Sequence, residues 1–310
     1  MSLDPQIRAL LDAIEAKGAK HFEDMSPTEA RLAAGSFVKL QGAGQAVAEV
    51  SDHLVPVADG QVPVRIYKPA TSGPHPVLFH YHGGGFVIGD IHLLDAVSRQ
   101  LCNVSQAAVV AVGYRKAPEY RFPTAAEDAY VALLWTVSHA ERLGLNAKKL
   151  VVLGDSAGGN LATVVTQLAR DRHGPPIAAQ ILIYPLVDIH ERYESYEKYG
   201  DGYFLTTRTM AWFADQYVPE FDMRKHPMVS PLYADLRGLP PALIVSAGHD
   251  PLFDQNVAYA HALERAGVEV AHWENPSMIH GFFWMGGVIQ HTRNVMMQIG
   301  FHVQKHWARC

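Results

Sequence analysis

Cysteine is scarce in this chain of 310 residues, which contains two, Cys102 and Cys310, far apart in the sequence. Two distant cysteines provide no disulfide framework, so we expect a reducing, cytoplasmic location. Charged residues are also few, at 18%, whereas hydrophobic residues reach 48%. These proportions are typical of a globular protein with a sizeable core.

Clusters of positive charge and long apolar runs are missing too. The 26 Lys and Arg residues are outnumbered by 31 Asp and Glu, which gives a net charge of −5, and there is no basic run that could follow a phosphate backbone. The sequence therefore predicts no nucleic-acid partner. No stretch of 18 apolar residues could span a bilayer, and the first residues lack the basic-then-apolar order of a signal peptide.

Short apolar runs alternate with helical patterns from about residue 77 onward. The predicted strands are 76–82, 107–114, 149–154, 180–185, 242–248 and 268–275. Near-continuous apolar strands separated by helices predict an α/β protein with a mostly parallel sheet covered on both faces. Because no repeat, low-complexity tract or linker divides the chain, we expect residues 1–310 to form a single domain.

Two regions interrupt this alternation of strands and helices. Residues 1 to about 45 have helical patterns, with Ser26 and Glu29 spaced as a capping box. Residues 190–230 are rich in aromatics and fall between the fourth and fifth predicted strands. An aromatic insertion of this length either covers a site or contacts a partner, although a surface excursion with a small core of its own is an alternative.

A G-x-S-x-G pattern with Ser156 at its centre carries the strongest chemical signal. It follows a predicted strand and opens a predicted helix, the context of a nucleophile elbow. Gly154 and Gly158 suit a tight turn in which neighbouring backbone segments leave no room for side chains. The helix N-terminus favours negative charge that develops near the serine hydroxyl. Ser156 is therefore the predicted nucleophile.

A serine hydroxyl needs a base and a group that orients the base, and on this architecture they follow in the order acid, then histidine. Asp250 comes just after the predicted strand 242–248, and His280 follows the strand 268–275. Since catalytic groups gather at the carboxyl ends of parallel strands, we expect these two side chains to complete a triad. The competing candidates are Asp254, His249 and His272.

The three glycines at 83–85 follow the first predicted strand and fit neither phosphate-binding pattern. No G-x-x-x-x-G-K-[ST] occurs, and position 88, which would complete G-x-G-x-x-G, is Ile. His80 and His82 share a strand face, and His302 and His306 share a helix face, but neither pair is accompanied by the further ligands of a metal site. We therefore expect no metal and no cofactor.

Taken in order, these motifs resemble the hormone-sensitive-lipase-like family of α/β-hydrolases, and more narrowly its bacterial carboxylesterases. The resemblance rests on HGGGF, YRKAPEYRFPTAAED, GDSAGGN, DPL and IHGF, and it covers nearly the whole chain. It departs from the family pattern at Lys116 and Phe253, where relatives often have Leu and Arg. It implies an α/β-hydrolase fold with a helical cap formed by residues 1 to about 45 and the insertion 190–230.

The resemblance also implies roles for individual residues. The triad would be Ser156, Asp250 and His280, and the oxyanion hole would consist of the N–H groups of Gly84, Gly85 and Ala157. Phe204 and Leu205 correspond to a cap segment that lines the acyl pocket in the family. The implied reaction is hydrolysis of short- to medium-chain carboxylic esters through a serine acyl-enzyme, with a small-molecule ester as substrate and without a cofactor. Relatives often form homodimers.

Two other functions remain open at this point. An amidase or peptidase could use the same triad, although an amide needs better protonation of a poorer leaving group. A non-catalytic receptor for a small ligand could use the same scaffold, but the receptor lineage of the family has lost the triad histidine, which is present here as His280.

Overall fold

An eight-stranded sheet forms the centre of the protein, described here from a computed structural model for residues 2–18 and 20–308. The strands are β1 (Glu49–Val57), β2 (Gly60–Lys68), β3 (His75–Tyr81), β4 (Ala108–Val112), β5 (Leu145–Asp155), β6 (Ala179–Ile183), β7 (Ala242–His249) and β8 (Val270–Ile279). Cys310 lies outside the described residues, and Cys102 is a buried free thiol.

The strand order across the sheet is β1-β2-β4-β3-β5-β6-β7-β8. The pairs β1–β2 and β2–β4 are antiparallel, and every pair from β4 to β8 is parallel. The predicted mostly parallel sheet is therefore confirmed. The hairpin of β1 and β2 was not predicted, because β1 is largely exposed, β2 begins with exposed residues, and neither strand is a continuous apolar run. β8 also continues to Ile279, beyond the predicted end at 275.

Helices cover both faces of the sheet. They are α1 (Pro5–Ala16), α2 (Pro27–Ala34), α3 (Val38–Gln41), α4 (Asp95–Ser105), α5 (Thr124–Ser138), α6 (Ala140–Leu143), α7 (Ala157–Asp171), α8 (Glu194–Tyr199), α9 (Thr207–Tyr217), α10 (Phe253–Arg265) and α11 (Gln290–Trp307). α2 begins at the predicted capping box, in which Ser26 and Glu29 each satisfy a backbone N–H of the other.

The core has two halves, one on each face of the sheet. In β3 the side chains of Val77, Phe79 and Tyr81 enter one half, and Leu78 enters the other, as the two-residue period of a strand requires. Because both faces are buried, β3 has no polar alternation and reads as one apolar run. Complete burial of a side chain such as Phe79 contributes about 1.5–3 kcal/mol relative to exposure.

Each half of the core is closed by its own helices. Leu133 of α5, Leu161 of α7 and Leu263 of α10 pack into the half that contains Phe79. Leu101 of α4 and Val303 of α11 pack into the half that contains Leu78. This arrangement fixes the central strands from both sides, so their carboxyl ends form a rigid edge on which a site can be built.

The two segments that interrupt the α/β alternation are helical, as predicted. The first holds α1, a 3₁₀ turn at Phe22–Asp24, α2, a second 3₁₀ turn at Gly35–Phe37, and α3. The second, between β6 and β7, holds α8, α9 and a 3₁₀ turn at Phe221–Lys225. Among the described residues, no helix combines the length and apolar character needed to cross a membrane.

Candidate active site

Ser156 occupies a sharp turn between β5 and α7. Its backbone has φ +55° and ψ −119°, which is rare for a residue with a side chain and costs on the order of 1–3 kcal/mol. The turn is held by hydrogen bonds on both sides, since Ser156 N–H donates to the carbonyl of Ile183 (2.9 Å) and its carbonyl accepts from Asn160 N–H (3.1 Å). The sequence therefore folds here into the predicted strand–turn–helix.

The glycines of the pattern are needed because backbone segments meet at this turn. A Cβ on Gly154 would overlap the carbonyl of Gly158, and a Cβ on Gly158 would overlap the carbonyl of Tyr81 at the end of β3. The start of α7 thus packs directly on the ends of β5 and β3. This contact brings the serine beside the loop that follows β3.

The structure brings Ser156, His280 and Asp250 into one chain of hydrogen bonds. His280 Nε2 lies 2.9 Å from Ser156 Oγ, and His280 Nδ1 lies 2.7 Å from Asp250 Oδ2. Asp250 is fully buried, and its other carboxylate oxygen accepts from Leu252 N–H at 2.8 Å. With Asp250 holding Nδ1–H, the free lone pair of Nε2 faces the serine hydroxyl, as a general base requires.

The competing acid and histidines lie elsewhere. Asp254 is in the first turn of α10, where its carboxylate accepts from Ser195 N–H (2.7 Å). His272 is within β8, 2.7 Å from Ser246 Oγ. His249 ends β7 and packs against the rings of Tyr199 and Tyr203.

The histidine pairs considered as metal ligands have protein contacts. His80 Nδ1 lies 3.0 Å from Ser98 Oγ, and the Nε2 atoms of His302 and His306 are 3.2 Å apart. Within the described part of the chain, no group of three or more His, Cys, Asp or Glu side chains could hold a metal ion.

The glycine loop after β3 lies against the serine turn. Gly84 has φ +116° and Gly85 φ +58°, which favour glycine. The carbonyl of Gly84 accepts from Val87 and Ile88 N–H, at 3.0 and 2.9 Å. Gly84 N–H and Gly85 N–H donate no hydrogen bond to any of the described residues. Both glycines line the cavity with Ser156. Ala157 N–H is in the first turn of α7, where backbone amides have no acceptor within the helix.

Two buried side chains hold the first part of this loop. Asp155 Oδ1 accepts from Gly83 N–H at 2.9 Å, and His82 Nδ1 lies 2.7 Å from Gly83 O. Burial raises the pKa of Asp155 to about 6, an effect that the Gly83 N–H partly offsets. Burial also lowers the pKa of His82 to about 3, so this imidazole is neutral at physiological pH and donates to Gly83 O.

A cavity of about 680 Å³ opens above Ser156 and His280. Phe204 and Leu205, which the sequence predicted as pocket residues, line it together with Leu186, Ile189 and Met210. The lining is predominantly apolar, although charged side chains such as Glu191, Arg192 and Arg208 also contribute to it. A site of this size can enclose a ligand well beyond an acetyl group.

Most aromatic residues of the cavity wall were not predicted individually, and four of them lie in or beside the N-terminal segment, the insertion and the loop after His280. These four are Phe22, Phe37, Phe213 and Trp284. The Phe37 ring stacks on Trp284 with centroids 5.2 Å apart, and it lies 5.5 Å from the Phe204 ring. The aromatic content of 190–230 pointed to Phe213, whereas no local pattern could show which N-terminal residues reach the site.

Comparison with known proteins identifies the family of the chain. A family model described as the α/β-hydrolase fold matches residues 78–284, which include Ser156, Asp250 and His280. The chain belongs to this family. The resemblance to hormone-sensitive-lipase-like α/β-hydrolases inferred from the motifs is thereby confirmed.

Individual α/β-hydrolases match the chain over most of its length. An ethyl acetate hydrolase of Pseudomonas putida is 38% identical over 317 residues, covering 99% of this chain and all of that protein. A carboxylic ester hydrolase of Mycobacterium tuberculosis is 38% identical over 299 residues, covering 92% and 79%. The crystal structure of a thermostable esterase from Pseudomonas putida superposes with a TM-score of 0.95 at 33% identity, covering 99% and 98%.

Proposed function

We propose that the protein is a carboxylesterase that hydrolyses short- to medium-chain carboxylic esters through an acyl-enzyme on Ser156. The observation that carries this proposal is the hydrogen-bond chain from Asp250 through His280 to Ser156, with spacings of 2.7 and 2.9 Å, at the floor of an apolar cavity. Ester hydrolysis is the activity named for its full-length relatives, and the chain is a serine hydrolase of the same family.

The reaction begins when Ser156 Oγ attacks the ester carbonyl carbon and His280 Nε2 takes the hydroxyl proton. The resulting oxyanion accepts hydrogen bonds from the N–H groups of Gly84, Gly85 and Ala157. His280 then gives its proton to the departing alkoxide, which leaves as the alcohol. Asp250 holds the imidazole in the correct tautomer and stabilises its charged form throughout.

Water completes the cycle by the same steps. It attacks the acyl-enzyme carbonyl while His280 removes a proton from the water. The second oxyanion accepts hydrogen bonds from the same three N–H groups. When this intermediate collapses, Ser156 Oγ recovers its proton from His280 and the carboxylic acid leaves. The triad carries out the proton transfers in both halves of the reaction, and the three amides stabilise both oxyanions.

The range of acyl chains follows from the cavity. Its volume of about 680 Å³ and its mostly apolar wall favour acyl or alcohol groups of several carbons, because transfer of their apolar surface from water into the cavity is favourable. Phe204 and Leu205 are assigned to acyl binding. Residues 1 to about 45 and 190–230 form the cap of a single catalytic domain, since both segments contribute side chains to this wall.

An ester panel with a matched serine control tests the proposal. p-Nitrophenyl esters from acetate to laurate, and the corresponding anilides, are incubated with the wild type, Ser156→Ala and Ser138→Ala, in which an exposed serine is changed. Ser156→Ala should lose at least about 10³-fold in kcat with an unchanged circular dichroism spectrum, and Ser138→Ala should match the wild type. Turnover retained by Ser156→Ala, or anilides cleaved faster than esters, would overturn the assignment.

We also propose a cytoplasmic homodimer. The scarcity of cysteine supports a reducing compartment. β8 lies at an edge of the sheet, and Phe301 on α11 is 64% exposed, which together offer a surface for a second copy. Sedimentation velocity should give a dimer for the wild type and a monomer for Phe301→Glu; a monomeric wild type would contradict the proposal.

A further inference from the structure

Arg31 on α2 reaches from the N-terminal segment to the loops beside the active site. Its Nε donates to the carbonyl of Val87 at 2.9 Å, and its Nη2 donates to the carbonyl of Ala117 at 2.8 Å. The same guanidinium forms a bidentate pair with Glu119, at 2.9 and 2.6 Å. One planar group therefore joins α2 to two separate loops, with each bond in a fixed direction.

The carbonyl of Val87 belongs to the glycine loop that follows β3. Ile88 N–H, in the same peptide unit as the Val87 carbonyl, donates to the carbonyl of Gly84 at 2.9 Å. The Gly84 carbonyl in turn shares its peptide unit with Gly85 N–H, so one hydrogen bond separates the peptide that binds Arg31 from this amide. The preceding carbonyl, that of Phe86, accepts from Ala117 N–H at 2.9 Å. Arg31 thus binds both the glycine loop and the segment that supports it.

The conformation of the glycine loop depends on contacts with residues outside the loop. Gly84 and Gly85 have no side chains that could fix their amides, and glycine has more conformational freedom to lose than other residues. Asp155 and His82 hold the loop at Gly83, on the side of the sheet. Arg31 holds it at Val87, on the side of the N-terminal segment, so the two glycines lie between two anchored points.

We propose that Arg31 is a positioning residue for the oxyanion hole: it fixes the glycine loop so that the amides of Gly84 and Gly85 point at the developing oxyanion. The inference rests on the proposed function, because it assigns a support to that same site. Oxyanion donors are effective when their dipoles are oriented before the reaction begins. Loss of Arg31 should therefore affect the transition state more than substrate binding.

Among the charged groups near Arg31, Glu119 is the one that orients the guanidinium. Lys116, the other cation nearby, is half-buried, and burial lowers its pKa. The Arg31 guanidinium beside Glu119 lowers the pKa of that carboxyl to about 2, so the pair is ionised at every pH at which the protein would be assayed. Glu119 orients the guanidinium, but the two carbonyl contacts are what reach the loop.

The test compares Arg31→Ala and Arg31→Lys with Arg172→Ala as a matched control. Arg172 also forms a bidentate pair, with Glu127 at 2.6 and 2.7 Å, and has no contact with the glycine loop. Arg31→Ala should lower kcat about 10-fold and change KM less than about 2-fold, since a displaced donor costs less than the 10²–10³-fold of a deleted one. Arg31→Lys should recover part of the loss, and Arg172→Ala should retain wild-type kcat.

A trifluoromethyl ketone separates positioning from general stability. It forms a tetrahedral adduct whose oxyanion occupies the hole, so its inhibition constant should rise by the same factor as kcat/KM falls in Arg31→Ala. The proposal is overturned if kcat is unchanged, if KM changes instead, or if the inhibitor binds Arg31→Ala as tightly as the wild type. If Arg31→Ala does not fold, the same criteria apply to Arg31→Lys.

The outcomes for the loop and for the proposed function are distinguishable. An active Ser156→Ala variant would remove the basis of both. An inactive Ser156→Ala combined with a wild-type kcat in Arg31→Ala would overturn only the role of Arg31.

Discussion

Asp155 precedes Ser156 in the chain, yet its carboxylate contacts the loop after β3 rather than the triad. It is 2% exposed, and its hydrogen bond from Gly83 N–H joins the serine turn to the glycine loop. A Cβ on Gly83 would meet this carboxylate, so the close approach requires glycine there. The residue between the two motifs therefore ties them together.

The raised pKa of Asp155 makes a prediction about stability. A carboxyl with a pKa of about 6 in the folded state and 3.8 in the unfolded chain binds its proton more tightly when folded. Its contribution to the free energy of unfolding is thus complete below about pH 4 and is lost as the pH rises through 6. Between pH 4 and 7 the wild type should lose about 2 kcal/mol relative to Asp155→Asn.

Urea unfolding of both proteins at intervals of half a pH unit measures this difference. Asparagine keeps an oxygen that can accept from Gly83 N–H, so the variant retains the contact and removes only the titration. A difference between the two proteins that stays constant from pH 4 to 7 would contradict the prediction.

At the scale of elements, the insertion between β6 and β7 is anchored by one buried carboxylate. Asp188 accepts hydrogen bonds from the backbone N–H of His190 (2.8 Å) and Glu191 (3.2 Å), and from the hydroxyls of Tyr193 (2.7 Å) and Tyr233 (3.1 Å). Four donors from both ends of the insertion therefore meet at a side chain with no exposed surface.

Removal of this carboxylate should loosen the insertion. Asp188→Ala leaves four donors without their acceptor, which should lower the free energy of unfolding by about 3 kcal/mol. Amide exchange in α8 should become faster, while exchange in α7 stays as in the wild type. Asp171→Ala, at a position 58% exposed, serves as the control and should change neither quantity. Unchanged exchange in α8 of Asp188→Ala would show that other contacts hold the insertion.

Elements also differ in how far the sequence predicts them. The parallel strands β3 to β7 were predictable because burial on both faces makes most of each strand an apolar run. β8 was predicted as well, although it is only partly buried. Ser156, Asp250 and His280 could be chosen as triad candidates because each follows a predicted strand, and parallel strands end at one edge of the sheet. β1 and β2 were not predictable, since β1 is exposed along most of its length. The contact of Phe37 with Trp284 depends on packing between distant segments, for which no local signal exists.

At the scale of the whole molecule, several buried histidines set the response to acid. Burial lowers the pKa of six histidines in the described residues, which are His53, His75, His80, His82, His249 and His272. The two strongest effects are in His80, at about 4, and His82, at about 3. Each remains uncharged in the folded state at a pH where the unfolded chain binds a proton.

The protein should therefore lose stability as the pH falls from 7.5 to 5. The contribution of each histidine is complete above its unfolded pKa of 6.5 and is lost toward its folded pKa, so at pH 5 His80 and His82 should each cost about 2 kcal/mol. Asp155 offsets about 1 kcal/mol of this loss, because it binds a proton in the same range.

Urea unfolding at pH 7.5 and 5.0 measures the sum. His80→Gln should reduce the loss between the two pH values by about 2 kcal/mol, whatever its own effect at pH 7.5. Equal free energies of unfolding at both pH values in the wild type, or an unchanged loss in His80→Gln, would contradict this account.

The contacts between the first and last parts of the chain have a consequence for synthesis. Asp4 N–H donates to the carbonyl of Ser277 (3.1 Å), Gln6 Oε1 accepts from Gln290 N–H (2.9 Å), and Phe37 stacks on Trp284. The ribosome makes the N-terminal helices first, but their partners emerge more than 240 residues later. These helices therefore lack their final contacts during most of translation. The wall of the cavity can form only after the last strand and the loop that follows it have left the exit tunnel.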